Sequence, residues 1–220
     1  MRLKVYQTVL DQAMVPLAYV ANVDKAKKVV DACYAGGLRS FEFTNRGIGA
    51  HKVFDALAEH CRANYPDLYL GIGSVVDPGT ASLYIQLGAA FIVGPTIDED
   101  VVKVCHRRKV AWMPGCFTPS EIARAEGLGA EIVKLFPGNA VAPGFISAYR
   151  GPSPQTTIMV TGGVTAERSN LERWFGEGAA AVGMGSQLIK NDWIKAGEFG
   201  KMEALARETL AMIREIRGRE

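Results

Sequence analysis

The chain has 220 residues, of which 48% are hydrophobic and 22% are charged, and its net charge is +2. This composition is typical of a globular domain with a substantial core, so residues 1–220 are predicted to form a single domain. The small net charge gives no electrostatic case for a nucleic-acid partner, and no apolar run approaches the roughly 18 residues of a membrane-spanning helix. Residues 1–12 mix charged and apolar side chains, unlike a signal peptide, and we expect a cytoplasmic protein.

Short apolar segments recur roughly every 20–30 residues and predict eight β-strands. These segments cover residues 15–20, 40–44, 68–73, 91–95, 110–115, 132–137, 157–163 and 179–185. Several of the intervening units end on a glycine just before the next strand, as at Gly88 and Gly129. A glycine in that place is typical of a left-handed C-cap that turns a helix into the following strand.

Helical patterns lie between the predicted strands. Residues 25–35 carry apolar side chains on one face, residues 50–62 follow the second strand, and residues 195–217 predict a long amphipathic final helix. Thr118 is placed to cap a helix that begins at Pro119, with Glu121 completing a capping box. An extra helix is expected before the first strand.

Strands that alternate with helices predict an α/β protein with a parallel sheet, and eight such units predict a (β/α)8 TIM barrel. The alternative is an open, doubly wound sheet. It is disfavoured because no GxGxxG motif follows the first strand. In a barrel of this kind, the working residues lie at the carboxyl ends of the strands and in the loops that follow them.

Lys134 lies within the apolar segment 132–137, where a buried strand is expected. Lysine is rarely buried without a partner, because burial removes the hydration of its ammonium group. The commonest use of such a lysine is as an amine nucleophile that forms a Schiff base with a carbonyl substrate. The alternative is a lysine at a strand end whose ammonium group reaches water.

Strand parity adds a second functional group to the same interior. Successive side chains of a strand face opposite sides, and the bulky phenylalanines of segment 40–44 should face the helices. Glu42 and Thr44 then point into the barrel, as do Lys134 and Phe136. A carboxylate and an amine in one cleft suggest an acid/base group beside a nucleophile. A structural ion pair is the alternative, although desolvation makes such a pair a poor source of stability.

Glycine-containing turns follow the last two predicted strands. Gly162 and Gly163 follow the seventh strand, and Gly185 and Ser186 follow the eighth. Backbone N–H groups at these two strand ends form the usual phosphate site of this fold, although tight turns alone would also explain the glycines. No metal site is expected, because the three histidines lack ligand spacing and the four cysteines are far apart.

Several motifs resemble, in order and spacing, those of the class I aldolases that cleave 2-keto-3-deoxy-6-phosphogluconate (KDPG) or 4-hydroxy-2-oxoglutarate (KHG). The resemblance runs from about residue 15 to residue 189. Its motifs are AGG at 35–37, FEFTNR at 41–46, GIGSV at 71–75, MPG at 113–115, VKLFP at 133–137 and TGGV at 161–164.

The resemblance implies reversible cleavage of a 2-keto acid to pyruvate and an aldehyde, with Lys134 as the Schiff-base lysine and Glu42 as the catalytic glutamate. Arg46 and Ser74 would bind the pyruvate carboxylate. It further implies a homotrimer and no cofactor or metal. The other substrate-binding residues that it implies are Pro95, Phe136, Gly162, Gly163, Gly185 and Ser186. Thr44, which strand parity points into the barrel, is also predicted to bind the substrate.

The chain departs from the family around the pocket rather than at the lysine or the glutamate. Tyr19 stands where some members have an arginine, and Pro137-Gly138-Asn139 stands where many have Pro-Ala-Glu. These departures concern the far end of the substrate. Two other functions use the same features, namely a phosphate-binding barrel isomerase or epimerase and a non-catalytic sugar-acid-binding protein.

Overall fold

A computed structural model describes residues 2–218, and within that range it contains nine strand segments and ten α-helices. The strands are β1 (Met14–Ala18), β2 (Ser40–Thr44), β3 (Tyr69–Gly73), β4 (Phe91–Val93), β5 (Ala111–Met113), β6 (Gly115–Cys116), β7 (Val133–Leu135), β8 (Ile158–Thr161) and β9 (Ala181–Met184). The helices are α1 (Arg2–Gln12), α2 (Val23–Ala35), α3 (Ala50–Asn64), α4 (Pro78–Gln86), α5 (Glu99–Arg108), α6 (Pro119–Gly127), α7 (Phe145–Arg150), α8 (Arg168–Gly176), α9 (Asn191–Ala196) and α10 (Phe199–Ile216).

The strands form one parallel sheet in the order β5-β4-β3-β2-β1-β9-β8-β7-β6. Its two end segments, β5 and β6, are consecutive in the chain and are separated only by Pro114. Together they are the predicted fifth strand, which pairs first with β4 and then with β7. The sheet therefore closes into a barrel, which confirms the predicted (β/α)8 class and its extra N-terminal helix. The open-sheet alternative is wrong.

Proline explains the division of the fifth strand. Pro114 has no N–H group to donate to a neighbouring strand. Its carbonyl oxygen accepts a hydrogen bond from the backbone N of Lys134 at 2.9 Å, whereas the carbonyl of Met113 accepts one from Gly94 N at 3.2 Å. The strand therefore changes neighbour at the proline, and this change places β7 and its lysine beside β6.

The end of the chain differs from the prediction of one helix over residues 195–217. The structure has α9 and α10 instead, with Gly197 as the left-handed C-cap of α9 at φ 76°. α10 then packs along α2. A Cβ at Gly36, which follows α2, would lie 2.6 Å from the Cβ of Ala206, so the glycine permits this close approach.

The predicted capping features of α4 and α6 are present. The capping box of α6 is present, with Thr118 accepting from Glu121 N and Glu121 accepting from Thr118 N. Gly88 and Gly129 adopt the left-handed conformation after α4 and α6, at φ 105° and 87°. Among residues 2–218, no helix combines the length and apolar character needed to cross a membrane.

Candidate active site

Among the described residues, the barrel interior contains one close pair of opposite charges. Lys134 on β7 and Glu42 on β2 come from opposite sides of the barrel, and their Nζ and Oε1 atoms are 3.9 Å apart. The two side chains are only 7% and 1% exposed. The Nζ atom also lies 5.0 Å from the centre of the Phe136 ring. Strand parity thus gives the inward orientation that the sequence predicted.

Gly73 makes room for the Glu42 carboxylate. This glycine ends β3 and is paired with Thr44 of β2. A Cβ at Gly73 would lie only 1.7 Å from Glu42 Oε1, so no other residue fits without moving the carboxylate. The second glycine of GIGSV, Gly73, therefore leaves the space in which the carboxylate lies.

Several buried side-chain oxygens of the described barrel strands lack a protein partner, and one of them belongs to Glu42 itself. Within the described residues, Glu42 Oε2, Thr44 Oγ1 and Thr161 Oγ1 are buried and have no hydrogen-bond partner. Buried polar atoms are normally satisfied, and those that are not call for an explanation such as a bound water or ligand. Glu42 thus leaves hydrogen-bonding capacity beside the lysine, and Thr44 and Thr161 leave it at the wall of the cavity described below.

Arg46 and Ser74 meet at the mouth of the barrel. They follow β2 and β3, and Arg46 Nε donates to Ser74 Oγ at 3.4 Å. Ser74 has a left-handed backbone, with φ 60°, which is uncommon for a residue other than glycine. Arg46 is exposed, so its guanidinium group remains able to bind an anion.

A cavity of about 490 Å³ opens at the carboxyl ends of five neighbouring strands, β2, β1, β9, β8 and β7. Seven predicted site residues line it, namely Thr44, Arg46, Phe136, Gly162, Gly163, Gly185 and Ser186. Glu42 and Lys134 do not line it, but the Phe136 ring connects the lysine to its wall. Ser74 is outside the lining and reaches it through Arg46, while Pro95 is half-buried after β4 and is not brought to the cavity.

The two glycine-containing turns form one side of this cavity. Gly162 and Gly163 are left-handed, at φ 95° and 72°. The carbonyl of Gly185 accepts from the N–H groups of Leu188 and Ile189 at 3.0 and 2.9 Å. In such a helical turn the preceding N–H groups, here those of Ser186 and Gln187, are left for another acceptor.

Other lining residues were not selected from the sequence. They are Leu17, Thr161, Thr165, Gln187 and Asn191 among others, and Tyr19, which the sequence placed near the pocket, lines it too. Thr161 could have been found by parity, because it ends β8 as Thr44 ends β2. Gln187 lies in the irregular segment after β9, where no periodicity indicates which way a side chain points, and Asn191 is the first residue of the short helix α9.

Cys116 has a structural role beside the site. It lies on β6 next to Leu135, and its buried neighbours are Ile122, Ala125 and Val133. Burial raises the pKa of its thiol to about 12, so the nucleophilic thiolate is scarce at neutral pH. Within the described residues, no group of three or more His, Cys, Asp or Glu side chains is arranged to hold a metal ion.

Comparison with known proteins identifies similar chains over almost the whole length. The family described as KDPG and KHG aldolase matches residues 5–205. The 2-dehydro-3-deoxy-phosphogluconate aldolase of Treponema pallidum is 28% identical over 201 residues, which cover 91% of this chain and 93% of that protein. The 2-dehydro-3-deoxy-6-phosphogalactonate aldolase of Escherichia coli strain K12 is 31% identical over 149 residues, which cover 67% and 68% of the two chains.

A solved structure of the same family also resembles this chain. The KDPG aldolase of Legionella pneumophila, crystallised with pyruvate captured as a covalent carbinolamine intermediate, has a TM-score of 0.82 and 25% identity to this chain. The match covers 92% of this chain and 97% of that one.

Proposed function

Since this chain belongs to the KDPG and KHG aldolase family, we propose that it is a carbon–carbon lyase that cleaves a 2-keto-3-deoxy sugar acid, or 4-hydroxy-2-oxoglutarate, reversibly to pyruvate and an aldehyde. The observation that carries the proposal is the buried Lys134–Glu42 pair, with 3.9 Å between Nζ and Oε1. An amine beside a carboxylate is the minimum that Schiff-base aldol chemistry requires.

In the proposed reaction, the neutral amine of Lys134 attacks the C2 ketone and gives a carbinolamine. Loss of water, with a proton delivered by Glu42, gives the protonated imine. The imine accepts the electron pair of the C3–C4 bond as Glu42 removes the C4 hydroxyl proton, and the aldehyde departs. Protonation of the enamine at C3 and hydrolysis then release pyruvate and the free lysine.

The surroundings of the pair support these roles. Glu42 Oε2 is buried without a hydrogen-bond partner among the described residues, so it can exchange a proton with a substrate or a water molecule. Thr44 and the Phe136 ring would hold the carbon chain beside the amine.

Arg46, supported by Ser74, would bind the pyruvate carboxylate at the mouth of the barrel. Pro95, which the resemblance also assigns to the substrate, follows β4, the strand next to β3 in the sheet.

The turns at Gly162, Gly163, Gly185 and Ser186 would bind the far end of the substrate through backbone N–H groups. Where the sugar acid carries a phosphate, these groups can hold it without a cofactor or metal. Relatives named for gluconate and galactonate substrates both resemble this chain, so either configuration at C4 is compatible with the family.

We further propose a cytoplasmic homotrimer. Three large apolar side chains are exposed in loops that follow β2, β3 and β6, namely Ile48, Val76 and Phe117. Exposed apolar residues grouped at one end of a barrel support contact with another subunit. Light scattering should then give three times the 23.7 kDa chain mass, and a monomer mass would refute the trimer.

The decisive experiment traps the imine with pyruvate and borohydride and locates the adduct by peptide mass mapping. A reduced pyruvate adduct on Lys134 is expected, and Lys134→Ala should lose both the adduct and turnover. Glu42→Gln should slow turnover and still allow slow imine formation. Normal turnover by Lys134→Ala would refute the mechanism, and a folded wild-type protein without an adduct would favour the isomerase or binding-protein alternatives.

A further inference from the structure

Little in the backbone holds the turn after β8 in place. This turn runs from Gly162 to Thr165, and all four of its residues line the cavity. Among the described residues, no backbone–backbone hydrogen bond has its donor or its acceptor in residues 163–166. Gly162 and Gly163 are both left-handed, and glycine enters and leaves that conformation at little steric cost. The shape of the turn therefore depends on side chains that contact it from outside.

Asn170 makes two of these contacts with one amide group. Its Nδ2 donates to the carbonyl of Gly163 at 3.1 Å, and its Oδ1 accepts from the backbone N of Thr165 at 3.0 Å. A side-chain amide has both donors and an acceptor, so it can bridge two points of the turn. Asn170 does not itself line the cavity, so it can act on a substrate only through the turn.

The turn lies between an anchored helix and the segment that follows the lysine strand. Asn170 belongs to α8, which is anchored because its Leu171 and Trp174 side chains are buried in the core. On the other side, a Cβ at Gly163 would lie 2.8 Å from the Cβ of Asn139, which follows β7. The packing with Asn139 limits how far the turn can approach β7, and the amide of Asn170 prevents it from moving away from α8.

These contacts also determine which N–H groups of the turn remain for a ligand. The N–H of Thr165 is used by Asn170, whereas those of Gly163 and Val164 have no acceptor among the described residues. The peptide between Gly163 and Val164 is planar and trans, so its N–H points away from its C=O. Because Asn170 holds that carbonyl, it also fixes the direction of the Val164 N–H. Successive N–H groups held in a turn form a favourable site for an anion.

From this arrangement we infer that Asn170 is a positioning residue for the far end of the substrate, and that it holds the turn after β8 in the form that binds the 6-phosphate. The inference rests on the proposed aldolase function and assigns a residue to one end of its substrate. The acid KHG is shorter and has no phosphate, so its cleavage should depend little on the turn. Loss of Asn170 should thus affect the two substrates differently, which a general loss of stability would not do.

The test compares kcat/KM of the wild type and Asn170→Ala on two substrates, with pyruvate release followed by NMR. One substrate is KDPG or its C4 epimer, whichever the wild type cleaves faster, and the other is KHG. Asn170→Ala should lower kcat/KM for the phosphate ester about tenfold, roughly the effect of one hydrogen bond to a charged group. For KHG the value should stay within about twofold of wild type. Equal losses on both substrates, or no loss on either, would overturn the inference.

Two further variants separate positioning from folding. Asn170→Asp keeps an acceptor for the Thr165 N–H but turns a carboxylate oxygen towards the Gly163 carbonyl, so it should also lose activity selectively on the phosphate ester. Asn64→Ala is the matched control, because it removes an exposed amide that donates to the carbonyl of His60 at 2.8 Å near the end of α3. It should leave the ratio of the two kcat/KM values unchanged. A wild-type ratio in folded Asn170→Asp would contradict the role of Asn170.

Trapping with pyruvate and borohydride separates this inference from the proposed function. Asn170→Ala should form the Lys134 adduct at the wild-type rate, because pyruvate has no far end to place in the turn. A wild type that forms the adduct but cleaves neither 6-phosphate would overturn only the role of Asn170. Absence of the adduct from the wild type would overturn the aldolase mechanism itself.

Discussion

At the scale of single residues, the site depends on small side chains as much as on the reactive ones. Glu42 reaches the interior because Gly73 has no side chain to fill the space that the carboxylate occupies. The strand pairing of Thr44 with Gly73 fixes that space in the sheet. Catalytic geometry of this kind is sensitive, since a displacement of about 1 Å can cost on the order of 100-fold in rate.

Gly73→Ala should therefore lower kcat by on the order of 100-fold while leaving the barrel folded, because the new methyl group displaces the carboxylate from Lys134. The measurement is the steady-state rate of pyruvate release, with circular dichroism to check the fold. Gly200→Ala is the matched control, because a Cβ at Gly200 meets nothing within 4 Å. A folded Gly73→Ala enzyme with the wild-type rate would show that Glu42 tolerates a different position.

At the scale of elements, strand parity was the most informative part of the sequence. It predicted the inward orientation of Glu42 and Lys134, because the bulky apolar residues on either side of each one face the helices and the residue between them must then face the barrel interior. It could not give Gln187, which follows β9 in an irregular segment, or Asn191, which begins the short helix α9. The final helix was predicted too long, because its amphipathic pattern continues across the break at Gly197.

The capping box of α6 should make the stability of the protein depend on pH through Glu121. Glu121 accepts from the backbone N of Phe117 and of Thr118, both at 2.8 Å. These two hydrogen bonds, that of Phe117 first, hold the pKa of Glu121 below its usual 4.5. A lowered carboxyl pKa adds stability that is present above the unfolded pKa and is lost as the pH falls through the folded pKa.

Glu121→Gln keeps the shape of the side chain and removes its charge, so it should lower the free energy of unfolding by about 0.5 kcal/mol at pH 7. The difference from wild type should shrink as the pH falls below 4.5, where the wild-type carboxyl also becomes neutral. Urea unfolding at several pH values measures it. Glu126→Gln in the same helix is the control, and an equal loss there, or a loss independent of pH, would argue against the cap.

At the scale of the whole molecule, the barrel closes on a strand that is divided in two, and α1 completes the closure. Met113 directs its carbonyl to β4, so the neighbouring Trp112 directs its N–H and C=O groups to the opposite edge, before β6 begins to pair with β7. The hydroxyl of Tyr6 on α1 serves both groups. It accepts from Trp112 N at 2.8 Å and donates to Trp112 O at 3.1 Å.

This arrangement explains why a barrel with a short fifth strand needs a helix beneath it. Val5, Tyr6 and Val9 of α1 are all buried, so the helix covers the amino-terminal end of the barrel. The Tyr6 hydroxyl takes the place of a neighbouring strand as the hydrogen-bond partner of Trp112. Burial raises the pKa of Tyr6 to about 12, which keeps the phenol protonated and able to donate at any pH at which the enzyme would act. The sequence predicted a helix here but gave no sign of this hydrogen bond, which joins residues 106 positions apart.

Tyr6→Phe should lower the free energy of unfolding by about 2 kcal/mol, because it leaves a buried N–H and a buried C=O of Trp112 without a partner. Urea unfolding measures the loss. Tyr34→Phe is the matched control, since the hydroxyl that it removes forms an exposed hydrogen bond to Asp67 at 2.7 Å and water can replace that bond. The free energy of unfolding should fall much less in Tyr34→Phe than in Tyr6→Phe. Equal losses from the two substitutions would mean that water already reaches Trp112, and that α1 covers the barrel without helping to close it.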